Sequence, residues 1–321
     1  MALLPFTASA RAYLGLGVAS LAWAASFIAG KIAVEHFDVL SAAGLRHLAA
    51  ALVLLPFAWR ARSAAHLRAA LVPLALMALC GGVFYQWAFL AALHHTSATN
   101  AALLIALNPV LTVLLAPLVG ERVTRRRLVG VLLALGGAVL VLTHADLSVL
   151  ADVGTSRPGE LLALLAAALW ATFNLASRRA VVLLPNSVAN LVSYGFGAIF
   201  SLLAAASQHP FAQLATASPT VLAALLFMAL GGSVVAGQLF LHAVHAVGVG
   251  RTAVFIYLIP VQTALLSVLL LGEPLLVSQV IGGAAVLAGV CVATSRRGWS
   301  RVRARTTRLP TRPEARATGD A

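Results

Sequence analysis

The sequence predicts an all-α polytopic membrane protein, in which ten transmembrane helices form two inverted repeats of five helices each. Three observations predict this fold: an apolar composition, ten long apolar segments and a set of residues that recurs in the second half. Of the 321 residues, 61% are hydrophobic and 10% are charged. Soluble domains have about 45–50% apolar and about 25% charged residues. This composition therefore excludes a soluble enzyme of this length, and it excludes disorder except at the chain ends.

Ten segments are long enough to cross a membrane, since a transmembrane helix needs about 20 mostly apolar residues. Polar, proline and arginine clusters separate these segments. Spans one to ten are predicted at about Tyr13–Val34, Leu40–Trp59, Ala70–Leu93, Ala98–Val119, Arg127–Thr143, Leu161–Ala180, Val188–Ser207, Pro219–Val244, Thr252–Leu271 and Val277–Thr294. The first segment is too long for the hydrophobic region of a signal peptide, so we expect it to be retained.

Basic residues favour one side of this arrangement. If the N-terminus is cytoplasmic, nineteen arginines lie in cytoplasmic segments, whereas Lys31 and Arg157 lie on the opposite side. Cytoplasmic loops of membrane proteins are rich in Lys and Arg. We therefore expect both termini in the cytoplasm and, because the arginine bias is typical of GC-rich bacteria, a bacterial inner (plasma) membrane.

The net charge of +13 does not form one basic face, so no nucleic acid partner is expected.

The second half repeats features of the first at an offset of about 150 residues. Trp23 with Lys31 eight residues later is matched by Trp170 with Arg178 eight residues later. The other matched pairs are Ala106-Leu-Asn-Pro-Val110 with Tyr257-Leu-Ile-Pro-Val261, Gly120-Glu121 with Gly272-Glu273, Gly130 with Gly282, and Gly137 with Gly289. Because five spans is an odd number, the second repeat enters the membrane from the opposite face. Inverted repeats are typical of alternating-access transporters, whose substrate site lies near the midplane.

A set of motifs in the first half carries a family resemblance. It consists of Leu21-Ala-Trp-Ala-Ala-Ser-Phe27, Lys31, Gly44-Leu-Arg46, Asn108-Pro109, Gly120-Glu121 and the glycine-rich fifth span. From Tyr13 to Thr294 the chain resembles a pair of EamA repeats of the drug/metabolite transporter superfamily. The resemblance implies ten spans and the export or exchange of small metabolites, often amino acids and their relatives. The second half has Phe173-Asn174 where the first has Ser26-Phe27, and it lacks an arginine matching Arg46, so an asymmetric pocket is expected.

These features divide the chain into five parts. They are a short cytoplasmic N-terminus (residues 1–12), a first EamA repeat (13–143), an extracytoplasmic linker (144–160), a second EamA repeat (161–294) and an arginine-rich, disordered cytoplasmic tail (295–321). A site between the repeats would draw side chains from both.

Polar and aromatic side chains deep in the spans are the candidate substrate-binding residues, because polar groups in lipid are costly and usually face the bundle interior. Helical spacing selects Trp23, Ser26, Arg46, Gln86, Asn108, Trp170, Asn174, Tyr194, Gln238 and Tyr257. Each has a structural alternative, since amides bridge helices and tryptophans anchor spans at the membrane surface. Arg46 either extends outward to water or binds a substrate carboxylate.

Four residues are candidates for gates or hinges. Lys31 and Arg178 lie at span ends on opposite sides of the membrane, where the alternative is that they pair or extend to water. Pro109 and Pro260 release backbone carbonyls within spans four and nine, which suits either a hinge or a static kink.

No aspartate or glutamate lies at mid-depth in a predicted span. This argues against carboxylate-based coupling and against a strongly cationic substrate. His47 and His242 are the candidates for proton coupling, with facilitated diffusion or exchange as alternatives. Cys80 and Cys291 lie in apolar segments, and the Cys and His spacings do not match a metal site, so no metal or other cofactor is expected.

The sequence thus predicts a secondary transporter, not an enzyme, that exports or exchanges small neutral or zwitterionic metabolites such as amino acids by alternating access. Its expected partners are the lipid bilayer, the small-molecule substrate and a second copy in a homodimer. The alternatives are a channel, an embedded interaction subunit or an intramembrane lipid-modifying enzyme, although the spans lack the paired acids that such an enzyme would use to bind Mg²⁺.

Overall fold

The computed structural model describes residues 8–60, 67–115, 117, 123–146, 157–247 and 249–294, and these residues contain helices and no strand. The α-helices are α1 Ala8–Val34, α2 Val39–Arg60, α3 Leu67–Met77, α4 Tyr85–His95, α5 Ala98–Ile105, α6 Asn108–Leu115, α7 Arg125–Thr143, α8 Pro158–Leu183, α9 Asn186–Ala204, α10 Pro210–Thr216, α11 Pro219–Phe227, α12 Ala236–Val247, α13 Val249–Leu266 and α14 Val277–Thr294. Three π-helical segments, Ala78–Phe84, Met228–Val235 and Ser267–Leu271, continue α3, α11 and α13. A short 3₁₀ turn, Ala206–Gln208, follows α9.

These helices give the ten predicted spans. Within the described ranges, nine helical segments are long and apolar enough to cross a membrane, and Phe255–Leu271 is a shorter apolar helix. Span three consists of α3, a π-helical segment and α4, and span eight consists of α11, a π-helical segment and α12. The predicted all-α polytopic fold is therefore confirmed. The predicted tail, 295–321, lies outside the described residues.

Span four differs in its interior from the expected bent helix. Its first helix ends at Ile105, and the second begins at Asn108 after a two-residue turn. Pro109 therefore lies in the first turn of α6, where its missing N–H group has no helical partner to lose. Pro260, by contrast, lies buried inside the continuous helix α13.

The two ends of the helix bundle are called the proximal end and the distal end. The proximal end is where α1 begins and α14 ends, and the distal end is where α1 ends and α14 begins.

Spans five and ten cross antiparallel, and their backbones approach closely at glycine residues. A Cβ atom on Gly130 would lie 2.6 Å from the carbonyl oxygen of Gly289, and one on Gly289 would lie 2.6 Å from that of Gly130. Small residues thus allow the close helix contact typical of membrane proteins.

Apolar burial differs between the two ends. The largest cluster draws on apolar residues within 27–37, 42–45, 88–107 and 224–228, most of which lie toward the distal end, and it continues along α7 and α14. Two separate clusters lie toward the proximal end. One joins α3, α8 and α9 through residues such as Leu74 and Ala180, and the other joins α1 to α12 through Leu16 and Ala243. Among the described residues, the distal half is therefore packed continuously and the proximal half is divided.

Candidate functional site

Arg46 lies at the centre of the candidate site. Its side chain projects from α2 into the bundle and is only 7% exposed. Nη1 donates to Oε1 of Gln86 at 2.7 Å, and Nη2 donates to Oγ of Ser233 at 3.1 Å. Nε is buried and has no hydrogen-bond partner among the described residues. Two neutral side chains thus hold the guanidinium, although an anionic partner would stabilise a buried cation more strongly.

A π-helical segment in span eight builds one wall of this site. The backbone carbonyl of Gly232 accepts a 3.0 Å hydrogen bond from Nε1 of Trp23. A Cβ atom on Gly232 would overlap Oγ of Ser26, so only glycine allows this approach of α1. Oγ of Ser233 also donates to the carbonyl of Met228, five residues earlier, at 3.1 Å. Such π-helical bulges occur frequently at functional sites.

The first repeat contains an equivalent segment. Gly81-Gly82 in span three and Gly231-Gly232 in span eight lie 150 residues apart, and both pairs are π-helical. A Cβ atom on Gly81 would overlap the ring of Phe173, and one on Gly82 would overlap the carbonyl of Ser193. Each π-helical segment therefore packs closely against the first two spans of the other repeat. The paired Gly-Gly motif is the sequence signal that could have identified this relation.

Aromatic rings form a second wall. The ring centroids of Trp170 and Tyr85 lie 4.7 Å apart, as do those of Trp170 and Phe173. Tyr85 stacks in turn on Phe89 at 5.9 Å. The Arg46 guanidinium carbon lies 6.0 Å from the centre of the Phe89 ring, at the limit of a cation–π contact. Sequence reasoning identified Trp170 but missed Tyr85 and Phe89.

His47 and Tyr194 lie side by side next to this site. Their rings stack at 5.0 Å, and His47 is fully buried. The Tyr194 hydroxyl donates to the carbonyl of Ser233 at 3.5 Å, which connects α9 to the same π-helical segment as Arg46. His47 therefore contacts a neighbour of the site, whereas Arg46 points into the site itself.

Several predicted residues lie outside this cluster. Nδ2 of Asn108 donates to the carbonyl of Ile105 across the break in span four, at 3.1 Å. The Tyr257 hydroxyl pairs with Oγ1 of Thr294 at 2.6 Å and joins α13 to α14.

Gln238 and His242 are exposed on α12, while Phe240 of the same helix contacts Trp23. The structure thus does not bring Gln238 or His242 to Arg46.

Two further predicted residues lie on α8. Asn174 is half-buried one turn beyond Trp170. The side chain of Arg178 lies outside the described part of the structure. The gate role expected of Arg178 therefore stays a prediction.

Lys31 connects two spans at the distal end through hydrogen bonds. Its ammonium donates to the carbonyl of Leu93 at 2.7 Å and to that of Thr96 at 2.9 Å. These carbonyls lie at the end of α4, where a helix leaves its last acceptors unpaired and favours a cation. Lys31 therefore binds span one to span three.

Asn100 is the centre of a second polar cluster at the distal end, which sequence reasoning missed. Its Nδ2 lies 2.9 Å from Oε1 of Glu160 and 3.0 Å from Nε2 of His144. Its Oδ1 accepts from Nε2 of Gln279 at 2.8 Å. Burial, and secondarily the nearby Arg157, lower the pKa of His144, so its neutral imidazole can accept the bond from Asn100.

Metal binding finds no support in the described residues, which contain no group of three or more His, Cys, Asp or Glu side chains that could hold an ion. The candidate site around Arg46 is lined by neutral amide, hydroxyl and aromatic groups around one guanidinium. Such a set can bind an anionic or zwitterionic molecule with an apolar body.

Proteins that are similar to this chain in sequence are named as transporters. The chain is 29% identical over 290 residues to an uncharacterized transporter of Archaeoglobus fulgidus, covering 90% of this chain and 99% of that one. It is 28% identical to a probable terminal-alkyne amino-acid exporter of Streptantibioticus cattleyicolor, covering 85% and 90%. A solved crystal structure matches with a TM-score of 0.57 at 24% identity, covering 88% of this chain and 96% of that one, and shows the likeness of the fold alone.

A family model covers both halves of the chain. The model of the EamA-like transporter family matches residues 10–143 and 157–295. These two matches contain the ten spans, the paired π-helical segments and the residues around Arg46. The chain is therefore an integral membrane transporter that belongs to the EamA-like transporter family.

Proposed function

We propose that this transporter exports or exchanges small neutral or zwitterionic metabolites, above all amino acids and related compounds, at the site around Arg46. The observation that carries the proposal is the buried guanidinium of Arg46, whose partners are the neutral groups of Gln86 and Ser233. A substrate carboxylate would supply the missing negative charge, and Arg binds carboxylates through two parallel hydrogen bonds. The unpartnered Nε is a further donor for that anion.

The surrounding groups support a zwitterion or neutral compound over a cation. The sequence has no Asp or Glu between residues 39 and 120 or between 161 and 272, so the spans that build the site offer no carboxylate to an ammonium group. The Tyr194 hydroxyl donates to the backbone carbonyl of Ser233, whose side chain Arg46 contacts, so it adds a polar group without a carboxylate beside the site. Stacked rings, such as the pair of Trp170 and Phe173 at 4.7 Å, suit an apolar side chain.

The closed packing of the distal end supports a distal gate, as alternating access requires. The largest apolar cluster joins helices of both repeats there. Lys31 strengthens the distal closure through its two bonds to the end of α4, as a gate residue would. The distribution of basic residues supports a proximal end and two termini that face the cytoplasm, as expected for a protein of a bacterial inner membrane.

The relative named as a probable amino-acid exporter agrees with this choice of substrate. It is similar to this chain over most of both sequences, so an amino-acid panel is the first set of compounds to test. Export would correspond to loading from the proximal end and release at the distal end.

The experiment is exchange of radiolabelled amino acids in proteoliposomes that hold the purified protein and an excess of the same unlabelled compound inside. We expect saturable uptake in the parent protein, loss in Arg46→Gln and a weaker but measurable activity in Arg46→Lys, which keeps the charge without the planar donor pair. Arg60→Gln, at an exposed position in the last turn of α2, is the matched control. Uptake that survives Arg46→Gln, or no uptake of any amino acid by the parent, would overturn the proposal.

A further inference from the structure

Trp23 uses its single polar group to bind the backbone of span eight. Its Nε1 donates a 3.0 Å hydrogen bond to the carbonyl of Gly232, and its ring packs at a tilt against Phe240, with centroids 5.4 Å apart. Tryptophan has one hydrogen-bond donor and no acceptor. The indole N–H is therefore already in use, and Trp23 joins span one to the π-helical segment of span eight.

The bond from Trp23 reaches the backbone that carries Ser233. The Gly232 carbonyl and the Ser233 nitrogen belong to one planar peptide group, so a donor that fixes the carbonyl also fixes the plane next to the Ser233 side chain. The Ser233 hydroxyl donates to the carbonyl of Met228 at 3.1 Å, and its oxygen accepts from Nη2 of Arg46 at 3.1 Å. Because a hydroxyl has one proton, the bond to Met228 leaves its lone pairs for the guanidinium.

Gly232 is the point at which these contacts meet. A Cβ atom on Gly232 would overlap Oγ of Ser26 and would lie 3.9 Å from Nη2 of Arg46. Trp23, on the same helix as Ser26, binds the carbonyl of this glycine. Spans one, two and eight therefore approach one another at a single residue, and a displacement of Gly232 would move the Ser233 hydroxyl relative to Arg46.

The equivalent place in the other repeat has a different arrangement. Trp170 occupies the place of Trp23, and Gly82 occupies that of Gly232. No hydrogen bond joins Trp170 to Gly82 among the residues that the structure describes, and Trp170 packs against other aromatic rings instead. The residue after Gly82 is Val83, which has no hydroxyl group. Within the described part of the chain, the bond from tryptophan to glycine thus occurs beside the serine that contacts the arginine.

We propose that Trp23 is a positioning residue for Arg46: its indole N–H holds the π-helical segment where Ser233 can orient the guanidinium toward a carboxylate. The inference rests on the proposed function, in which Arg46 binds the carboxylate of the substrate. Two parallel hydrogen bonds form only when the planar guanidinium and the carboxylate are aligned. An Arg46 side chain that has lost the Ser233 contact keeps its charge, but it discriminates less between a carboxylate and a carboxamide.

The experiment compares an amino acid with its carboxamide. The pair is the amino acid of the panel with the lowest KM, for example L-leucine, and its amide, L-leucinamide. Their inhibition constants against labelled amino-acid exchange are measured in proteoliposomes for the parent, Trp23→Phe, Ser233→Ala and the double variant. Phenylalanine keeps a ring at position 23 and removes the N–H donor. The readout is the ratio of the amide constant to the acid constant, because a disturbance of the packing of α1 alone would weaken both and leave the ratio unchanged.

We expect the ratio to fall about fivefold in Trp23→Phe and in Ser233→Ala, as for the loss of one hydrogen bond. The double variant should show no further fall, because both substitutions act through the same hydroxyl. Trp170→Phe is the matched control. It alters the aromatic wall and should change both constants by the same factor, so that the ratio keeps its parent value.

An unchanged ratio in Trp23→Phe, an equal fall in Trp170→Phe, or effects that multiply in the double variant would overturn this inference and leave the proposed function standing. If the parent exchanges no amino acid, the proposed function is overturned and this inference with it. If Trp23→Phe does not purify as a folded protein, β-(3-benzothienyl)alanine at position 23 takes its place, since it keeps the ring shape and has sulfur in place of the indole N–H.

Discussion

Nη1 of Arg46 donates a 2.7 Å hydrogen bond to Oε1 of Gln86, which joins span two to span three at the centre of the bundle. The amide orients the guanidinium without neutralising it. A carboxylate at the same position would do both, because a buried Arg–carboxylate pair satisfies its own charge. Because Gln86 is neutral, the positive charge of Arg46 remains available to the substrate carboxylate that we propose.

Gln86→Glu tests this relationship. We expect the new carboxylate to pair with Arg46 and to compete with the substrate, so KM for an amino acid should rise by about tenfold or more while the protein stays folded. The measurement is concentration-dependent exchange in proteoliposomes, together with the melting temperature. Gln208→Glu, at an exposed distal position, is the control. An unchanged KM in Gln86→Glu would contradict the role given to Arg46.

Trp170→Ala tests the aromatic wall. Trp170 stacks on Phe173 and packs at a tilt against Tyr85, with ring centroids 4.7 Å apart in both pairs. Its removal should raise KM for large apolar amino acids such as leucine or phenylalanine by about tenfold, and that for alanine much less, because less apolar area is lost for a small side chain. Trp170→Phe should retain most of the activity. Trp59→Ala, at a 65% exposed position, is the control. If Trp170→Ala raised KM equally for alanine and for leucine, direct contact between Trp170 and the substrate side chain would be contradicted.

Sequence reasoning succeeded for residues whose burial follows from chemistry alone. Arg46 lies well inside an apolar span, where a charged side chain has few stable positions other than the bundle interior. The partners of Arg46 could not be predicted from the sequence, because only the π-helical segment directs the Ser233 hydroxyl toward α2. Helical spacing placed Gln238 and His242 near one face of α12, but it could not decide whether that face turns inward, and both side chains are exposed.

The distal cluster was missed for a related reason. Glu160 lies at the edge of a predicted span, where a carboxylate normally contacts water. It is buried because the turn after α4 and the start of α5 pack over it, which depends on residues 60 positions away in the chain. The break of span four could not be predicted from the sequence either, because a proline in a membrane helix more often bends the helix than interrupts it.

The lowered pKa of His144 predicts that the stability of the folded protein depends on pH. Its pKa is lowered in the folded protein by burial and by Arg157, so below its ordinary value of about 6.5 the unfolded chain binds more protons than the folded one. Stability should therefore fall as the pH drops through this range. In His144→Gln, whose amide can still accept from Asn100, the fall in melting temperature from pH 7.5 to pH 5.5 should be smaller. A fall of the same size in both proteins would assign the effect to another group.

Adjacent glycines in span five provide a matched test of the contact between spans five and ten. A Cβ atom on Gly137 would lie 2.5 Å from the carbonyl oxygen of Gly282 and 2.7 Å from the amide nitrogen of Val286, whereas one on Gly136 would meet nothing within 4 Å. Backbone atoms cannot move aside as a flexible side chain can, so Gly137→Ala should destabilise the protein by about 1–3 kcal/mol. Gly136→Ala adds the same atom to the same helix and should be neutral or slightly stabilising, because alanine has the better helix propensity. The measurement is thermal unfolding of both variants in one detergent, followed by tryptophan fluorescence. Equal melting temperatures would mean that α7 and α14 do not approach as closely as their glycines allow.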